Sequence, residues 1–348
     1  NVRWASDGQS LYFTVQARGN VHLFQLPTSG GSPRMTVIDR GRVGAWSVAD
    51  NGAIAYTFTA PNGPAELYMR HDGSSEPLTS LNAELLAERV TAEVEAFTFS
   101  SFDGRSIEAF LTKPVDLDLA NRHPLVVMIH GGPHGQQGAA FNLTAQVYAG
   151  LGWATLMVNY RGSTGYGQEL ADAIFKDQNG GEAKDVMAGV DAALDRYRWL
   201  DGGRLVIEGG SYGGQLTNWI ITQTERFRAA IPRASISNLI SFNYMAYYHD
   251  YLAVEFGAYP HENGIIDLLW ERSPIRYARS VTTPTMLVHG ENDNDVPIAE
   301  AEQFYIALKD VGVETVMIRY PREGHGIREA AHQVDLLERS IAWYERHF

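Results

Sequence analysis

From about Glu95 to the carboxyl terminus, short apolar runs alternate with stretches of helical periodicity. That alternation narrows the possible folds more than any other feature of the chain. Leu125 to Ile129, Ala154 to Val158, Leu205 to Glu208, Ala229 to Pro232, Thr285 to Val288 and Thr315 to Ile318 read as strands. Residues 141–150, 182–199, 214–224, 298–311 and 329–346 read as helices. Strands that are apolar along their whole length are buried on both faces, so the pattern predicts an α/β domain over 96–348, with a mostly parallel sheet covered by helices on both sides. A hairpin, Glu95 to Ser101 and Ser106 to Lys113 around Asp103-Gly104, opens it. In such sheets ligands gather at the carboxyl ends of the strands.

Residues 1–95 have a different texture. Leu11 to Gln16, Val21 to Leu26 and Ala53 to Phe58 read as strands separated by Asp7-Gly8, Arg18-Gly19-Asn20 and Asp50-Asn51-Gly52. Trp4-Ala5-Ser6-Asp7-Gly8 followed by a strand is echoed 42 positions later by Trp46 to Gly52 followed by a strand. That spacing suits one four-stranded propeller blade, so the segment reads as about the last two blades of a β-propeller whose earlier blades lie outside this sequence. A small β-sandwich is the alternative.

The chain has 348 residues, 45% of them hydrophobic, enough for a sizeable core. A formal net charge of −13 argues against nucleic acid as a partner. There are no cysteines, which excludes disulfides, thiolate metal sites and a Cys nucleophile, and suits a cytoplasmic location. No apolar run approaches a membrane span. Asn1 to Ala5 opens directly into strand-like sequence, without a signal peptide or a starting Met, so the expectation is a chain that begins inside a longer precursor.

The chemistry concentrates at Gly209-Gly210-Ser211-Tyr212-Gly213, a G-x-S-x-G pattern between a strand-like and a helix-like run. In that context Ser211 is the nucleophile of a strand–turn–helix elbow. A Ser hydroxyl needs a general base oriented by a carboxylate, and in this arrangement they follow in the order Ser, acid, His on strand-end loops. His325, between two glycines after the strand ending at Ile318, is the candidate base. His289 ends a strand too early, His332 and His347 lie on or beside the last helix, and His249 and His261 sit in an aromatic insertion. Asp293 is preferred as the orienting acid over Asp295, which is placed to cap a helix starting near Pro297. The oxyanion of the tetrahedral intermediate needs backbone N–H donors. Tyr212, after the nucleophile, supplies one; His130-Gly131-Gly132-Pro133 supplies the other, from Gly132. His130 and His134 are not a metal pair because Gly-Gly-Pro between them forbids the helix that would align them, Asp293-Asn294-Asp295 lacks the glycine of a calcium loop, and no cofactor is implied.

His130-Gly131-Gly132-Pro133, Asn159 to Gly167, Gly209 to Gly214, His289 to Asp293 and Glu323-Gly324-His325 together resemble the prolyl oligopeptidase family, most of all its acylaminoacyl-peptidase branch. The resemblance implies an α/β-hydrolase domain behind a β-propeller, and a serine peptidase cleaving short peptides through an acyl-enzyme. It places the triad on Ser211, Asp293 and His325 and the oxyanion donors on Tyr212 and Gly132. Many acylaminoacyl members carry Arg two residues after the triad Asp, where this chain has Asp295; Arg233 is the candidate replacement, facing a peptide carboxylate. Phe242, Tyr247 and Tyr248 belong to an aromatic cluster expected to line the side-chain pocket. Expected partners are short peptides, the missing propeller fragment and further copies of the chain. An esterase on the same triad and an inactive binding protein are the competing readings.

Overall fold

Two turns in the amino-terminal part have both central residues at positive φ, Arg18-Gly19 (49° and 74°) and Asp72-Gly73 (49° and 83°). This is the backbone of a two-residue hairpin whose twist matches the flanking strands. In the computed structural model, which describes residues 2–262 and 264–348, such turns fold the first part into two four-stranded meanders. The first is β1 (Val2–Trp4), β2 (Ser10–Ala17), β3 (Asn20–Pro27) and β4 (Arg34–Val37); the second is β5 (Arg42–Val48), β6 (Ile54–Ala60), β7 (Gly63–His71) and β8 (Ser74–Pro77). All pairings inside each meander are antiparallel, and one parallel bridge, Val21 to Arg42, joins the two. Leu23, Val37, Val43, Trp46, Ile54 and Tyr56 make most of a small core.

The repeated Trp motif therefore has a structural meaning. Trp4 ends β1 and Trp46 lies in β5, the first strand of each meander, and each is followed by a turn and the second strand. The strands β5, β7 and β8 were not legible in the sequence. β7 is half-exposed over most of its length and β8 wholly exposed, so β7 carries Gly, Pro and charge, and β8 Glu and Pro, where an alternating apolar pattern would be needed to reveal them.

After α1 (Ala83–Glu88) comes the second sheet. Its strands are β9 (Val94–Ser100), β10 (Ser106–Thr112), β11 (His123–Ile129), β12 (Ala154–Asn159), β13 (Leu200–Gly210), β14 (Ala229–Arg233), β15 (Thr285–Gly290) and β16 (Thr315–Tyr320). They lie in the order β16-β15-β14-β13-β11-β12-β10-β9, parallel from β16 through β12 and closed at one edge by the antiparallel hairpin of β10 and β9. Between and after the strands come α2 (Leu143–Gly150), α3 (Gln168–Asp172), α4 (Gly181–Arg196), α5 (Tyr212–Gln223), α6 (Leu239–Met245), α7 (Tyr251–Phe256), α8 (Ile265–Glu271), α9 (Ala299–Asp310) and α10 (Ala330–His347).

Alternation along β11 shows why both faces are covered. Leu125, Val127 and Ile129 join the core under α4, α5 and α9, while Val126 and Met128 join Tyr148 of α2 and Trp343 and Tyr344 of α10 on the other face. With both rows fully buried, Leu or Ile to Ala here costs about 2–5 kcal/mol. This mixed sheet with helices on both faces is the α/β-hydrolase arrangement. The direction of strand order reverses between β11, whose successor β12 lies on one side, and β13 on the other. Crevices form where neighbouring loops diverge at such a reversal. The loops after β11 and β13 are those of Gly131-Gly132 and Ser211. The first meander rests on the same end of this sheet: Gly19 N–H donates to Gln136 Oε1 (3.1 Å), Gln136 Nε2 to the Asn20 carbonyl (2.8 Å) and Arg18 N–H to the Gly165 carbonyl (3.1 Å).

Candidate active site

Ser211 stands between β13 and α5 with φ 60° and ψ −125°. A non-glycine residue at positive φ stores strain of about 1–3 kcal/mol and persists only where its surroundings hold it. Here Ser211 N–H donates to the Arg233 carbonyl on β14 (2.9 Å), and its own carbonyl accepts from Gln215 N–H (2.9 Å). Gly213 makes the tight turn possible, because a Cβ there would run into the carbonyls of Ile129 and His130. Tyr212 is the first residue of α5, so its N–H has no acceptor inside the helix and is available to a ligand.

The opposing loop is held by His130. Its ring is buried, stacks on Tyr160 at 4.2 Å, contacts the Gly131 carbonyl through Nδ1 (2.8 Å) and Ser163 Oγ through Nε2 (2.9 Å). The tautomer this implies donates from Nδ1 and accepts the Ser163 hydroxyl at Nε2. Burial lowers the His130 pKa to about 4, so the ring acts as a neutral clamp. Gly132, at φ 131°, adopts backbone that an L side chain resists, and it lines a cavity with Ser211 and Tyr212.

The candidate base and its candidate acid come from the loops after β16 and β15. Those loops are tied by hydrogen bonds from Asn292 N–H to the Glu323 carbonyl (2.8 Å) and from Glu291 N–H to the Tyr320 carbonyl (2.9 Å). His325 Nδ1 lies 2.9 Å from Asp293 Oδ2. The other carboxylate oxygen, Oδ1, accepts from the N–H groups of Asp295 (3.0 Å) and Val296 (2.9 Å). Burial alone would raise the Asp293 pKa, but hydrogen bonds from His289, His325 and Val296 hold it well below the usual carboxylate range. The hydrogen bond to Asp293 in turn raises the pKa of His325 against the opposing effect of burial. Ser211 and His325 line the same two cavities. No hydrogen bond between them is formed among the described residues, an arm that in resting sites tightens on substrate binding.

Those cavities differ. The smaller, 240 Å³, has Ile236, Phe242, Tyr248, Tyr251 and Val296 in its walls. The larger, 600 Å³, is walled by Ile327, Leu336 and Leu337, with Arg233 beside Ser211. Arg233 is partly buried and donates to Glu208 Oε1 (3.0 Å); Tyr148 and Tyr344 donate to Glu208 Oε2 (3.0 and 2.9 Å). Burial opposes the Arg233 charge, and Glu208 beside it raises its pKa.

Of the residues expected from the sequence, the structure gathers Ser211, Tyr212, Gly132, His325, Phe242 and Tyr248 around the smaller cavity and Arg233 in the larger, with Asp293 behind His325. Tyr247 is not among them. It is 73% exposed and its ring packs edge-on against Tyr248. The aromatic spacing misplaced it because Phe242 is on α6 while Tyr247 follows the end of that helix, so one periodicity does not govern both. Asp295 caps no helix: the cap position of α9 is Ile298, and Asp295 lines the smaller cavity instead.

Two residues escaped the sequence reading. His289, set aside as a base, lies with Nε2 3.3 Å from Asp293 Oδ2; the four-residue spacing was the available signal. Glu182, in the first turn of α4, is completely buried and accepts from the Tyr212 hydroxyl (2.7 Å), Gly180 N–H (3.0 Å) and Asn179 N–H. Burial raises its pKa to about 7 against those hydrogen bonds. As for metals, Glu323, Glu329 and His332 bring donor atoms within 4.8 Å of one another. The Glu323 carboxylate already accepts from the N–H groups of Arg328 and Glu329 and contacts His332 Nδ1 (2.8 Å), so this cluster holds the loop that carries His325.

Known proteins resemble the chain over nearly its whole length. The chain is 34% identical to the uncharacterized peptidase YuxL of Bacillus subtilis over 99% of its length and 53% of that protein's. It is 28% identical to the acylamino-acid-releasing enzyme of Mus musculus, over 99% of this chain and 49% of the relative. The chain thus spans about half the length of these curated relatives. Among solved structures, an acylaminoacyl peptidase of Pyrococcus horikoshii superposes with a TM-score of 0.92 at 27% identity, covering 100% of this chain and 56% of that one. The model of the prolyl oligopeptidase family matches residues 139–348, well over half of the chain and all of the strand-end loops from Ser211 to His325. The chain belongs to the prolyl oligopeptidase family.

Proposed function

We propose that this chain carries the catalytic site of a serine peptidase that hydrolyses short peptides through an acyl-enzyme. The observation that carries the reading is the 2.9 Å contact of buried Asp293 with Nδ1 of His325, which lines two cavities together with a positive-φ Ser211. Ser211 Oγ attacks the scissile carbonyl as His325 Nε2 takes its proton. The N–H groups of Tyr212 and Gly132 receive the developing oxyanion. His325 then protonates the leaving amine, and water, activated by the same ring, releases the acyl group.

The two cavities divide the substrate in this reading. The aromatic cavity of Phe242 and Tyr248 takes the apolar side chain on the acyl side. The larger one takes the leaving portion, with Arg233 facing its carboxylate in place of the arginine that Asp295 replaces. Arg233→Ala is then expected to lower kcat/KM about tenfold for peptides with a free carboxyl end and to spare amidated ones.

Residues 1–95 are read as the last two blades of a β-propeller ahead of a catalytic domain at 96–348; the two four-stranded meanders and the repeated Trp motif support this. Earlier blades in the full-length protein, and further copies of the chain, are the expected partners. The absence of cysteine supports a cytoplasmic location; among the described residues no helix is long and apolar enough to cross a membrane. The decisive experiment is labelling of the full-length protein with a fluorophosphonate. Modification of Ser211, lost in Ser211→Ala, is expected; folded protein that stays unlabelled overturns the reading. Turnover of esters but not of peptides would replace the peptidase with an esterase.

A further inference from the structure

His289 is the penultimate residue of β15, four residues before Asp293, and its side chain is fully buried. Nε2 lies 2.8 Å from the Val296 carbonyl and 3.3 Å from Asp293 Oδ2, the same oxygen that His325 Nδ1 contacts. Nδ1 is buried with no hydrogen-bond partner. These contacts decide the tautomer. A proton on Nδ1 would be buried without an acceptor, and the Nε2 lone pair would then face two oxygens. The ring's proton therefore sits on Nε2, shared between Val296 and Asp293.

We infer that His289 is a positioning residue for the base: its Nε2–H shares the charge of Asp293 Oδ2 with His325, and so keeps His325 less basic than an undivided carboxylate would make it. The inference rests on the triad reading above. The carboxylate does not need His289 to stay in place, because Oδ1 keeps the N–H groups of Asp295 and Val296. What His289 changes is how much negative charge the other histidine meets. Charge shared with a second donor is charge not available to stabilise the His325 imidazolium.

The remaining groups facing this pair are few. Asp295 is on the same loop and adds a weak negative field at His325. Ser211 and Arg233 lie across the larger cavity, Tyr248 and Tyr251 across the smaller. Glu323 precedes the base by two residues but is occupied by His332 and two N–H groups. Arg319, beside His289 on β16, is turned toward Glu291 and Glu302. Among the described side chains, His289 is the one that adds a donor to Oδ2 beside His325.

The test is the pH dependence of fluorophosphonate labelling of Ser211 in the full-length protein, which reads the protonation of the base without a substrate. In His289→Phe the acid limb is expected to move up by at least roughly half a pH unit. His289→Gln, which returns an N–H near the same place, is expected to bring the limb back to within about 0.2 of wild type. A limb in His289→Phe that stays put or moves down, or an equal shift in both variants, overturns the inference. Ring ¹⁵N shifts of His289 in the wild type decide it even where the variants fail to fold or nothing labels: a proton on Nε2 and bare Nδ1 support it, and the opposite tautomer overturns it. Failure of wild type to label sinks the serine-hydrolase reading, whereas normal labelling with an unmoved limb sinks only the role of His289.

Discussion

Two buried carboxyl groups flank the nucleophile elbow, and their surroundings send them in opposite directions. Asp293 is supplied with donors on both oxygens, two of them imidazole N–H groups, and is held strongly ionised. Glu182 accepts two backbone N–H groups and one phenol, no cationic partner reaches it among the described residues, and its pKa rises to about 7. The difference is in what surrounds each carboxyl, since both are out of solvent. One carboxylate holds the ring proposed to transfer the proton. The other stands behind Tyr212, whose N–H is proposed to meet the oxyanion, and braces that residue through its side chain.

The contrast can be broken by substitution. The largest effect belongs to Asp293→Asn, which keeps the shape but reverses the hydrogen-bond preference at His325; kcat/KM is expected to fall about 10⁴-fold with the fold retained, checked by steady-state kinetics beside circular dichroism. Glu182→Ala should instead act on stability, because three buried donors lose their acceptor. A loss of about 3–5 kcal/mol in chemical denaturation is expected.

The pH dependence sharpens the same comparison. Glu182 has a folded pKa raised from the ordinary 4.5 to about 7, so its contribution is fully present below 4.5 and is lost as pH rises through 7. That slope is of order 3 kcal/mol in all, and Glu182→Gln should flatten it in a series of melting temperatures from pH 5 to 8. Asp293 has its pKa lowered from 3.8, so its contribution is present above that value and is lost only as pH falls below it. The smallest effect is expected of Tyr212→Phe. It removes one hydroxyl from Glu182 but keeps the backbone N–H, costing about 1–2 kcal/mol of stability and less than tenfold in kcat. A large loss of kcat there would mean that the phenol, not the backbone, matters to turnover.

How much of this was visible beforehand followed from how local each signal was. The sheet strands were legible because burial on both faces leaves unbroken apolar runs such as Leu125 to Ile129. The juxtaposition of Ser211, Asp293 and His325 was legible because an elbow, two strand-end loops and a fixed order restrict the choice to a few residues. Glu182 was not, because an acid in the first turn of a helix ordinarily faces water, and only the packing of α4 on α5 buries it. His289 is hard to read for the opposite reason: its place on a strand argues against it as a base and says nothing of its contact with Asp293. The short helices α6, α7 and α8 also escaped, since six or seven residues give too little periodicity to read.

The parallel bridge between Val21 and Arg42 has a mechanical consequence. Each meander is laced internally along whole strands, whereas between the two the strand ladder has a single pair beside the small core they share. The eight-stranded layer is therefore two stiff panels with a seam, and the seam offers the least resistance to shear. The first panel is pinned to the α/β domain through Arg18, Gly19 and Asn20, the second through Thr59 and Phe141. Thermal motion in this part of the molecule will be hinging of panels, and slow amide exchange should stop at their common border.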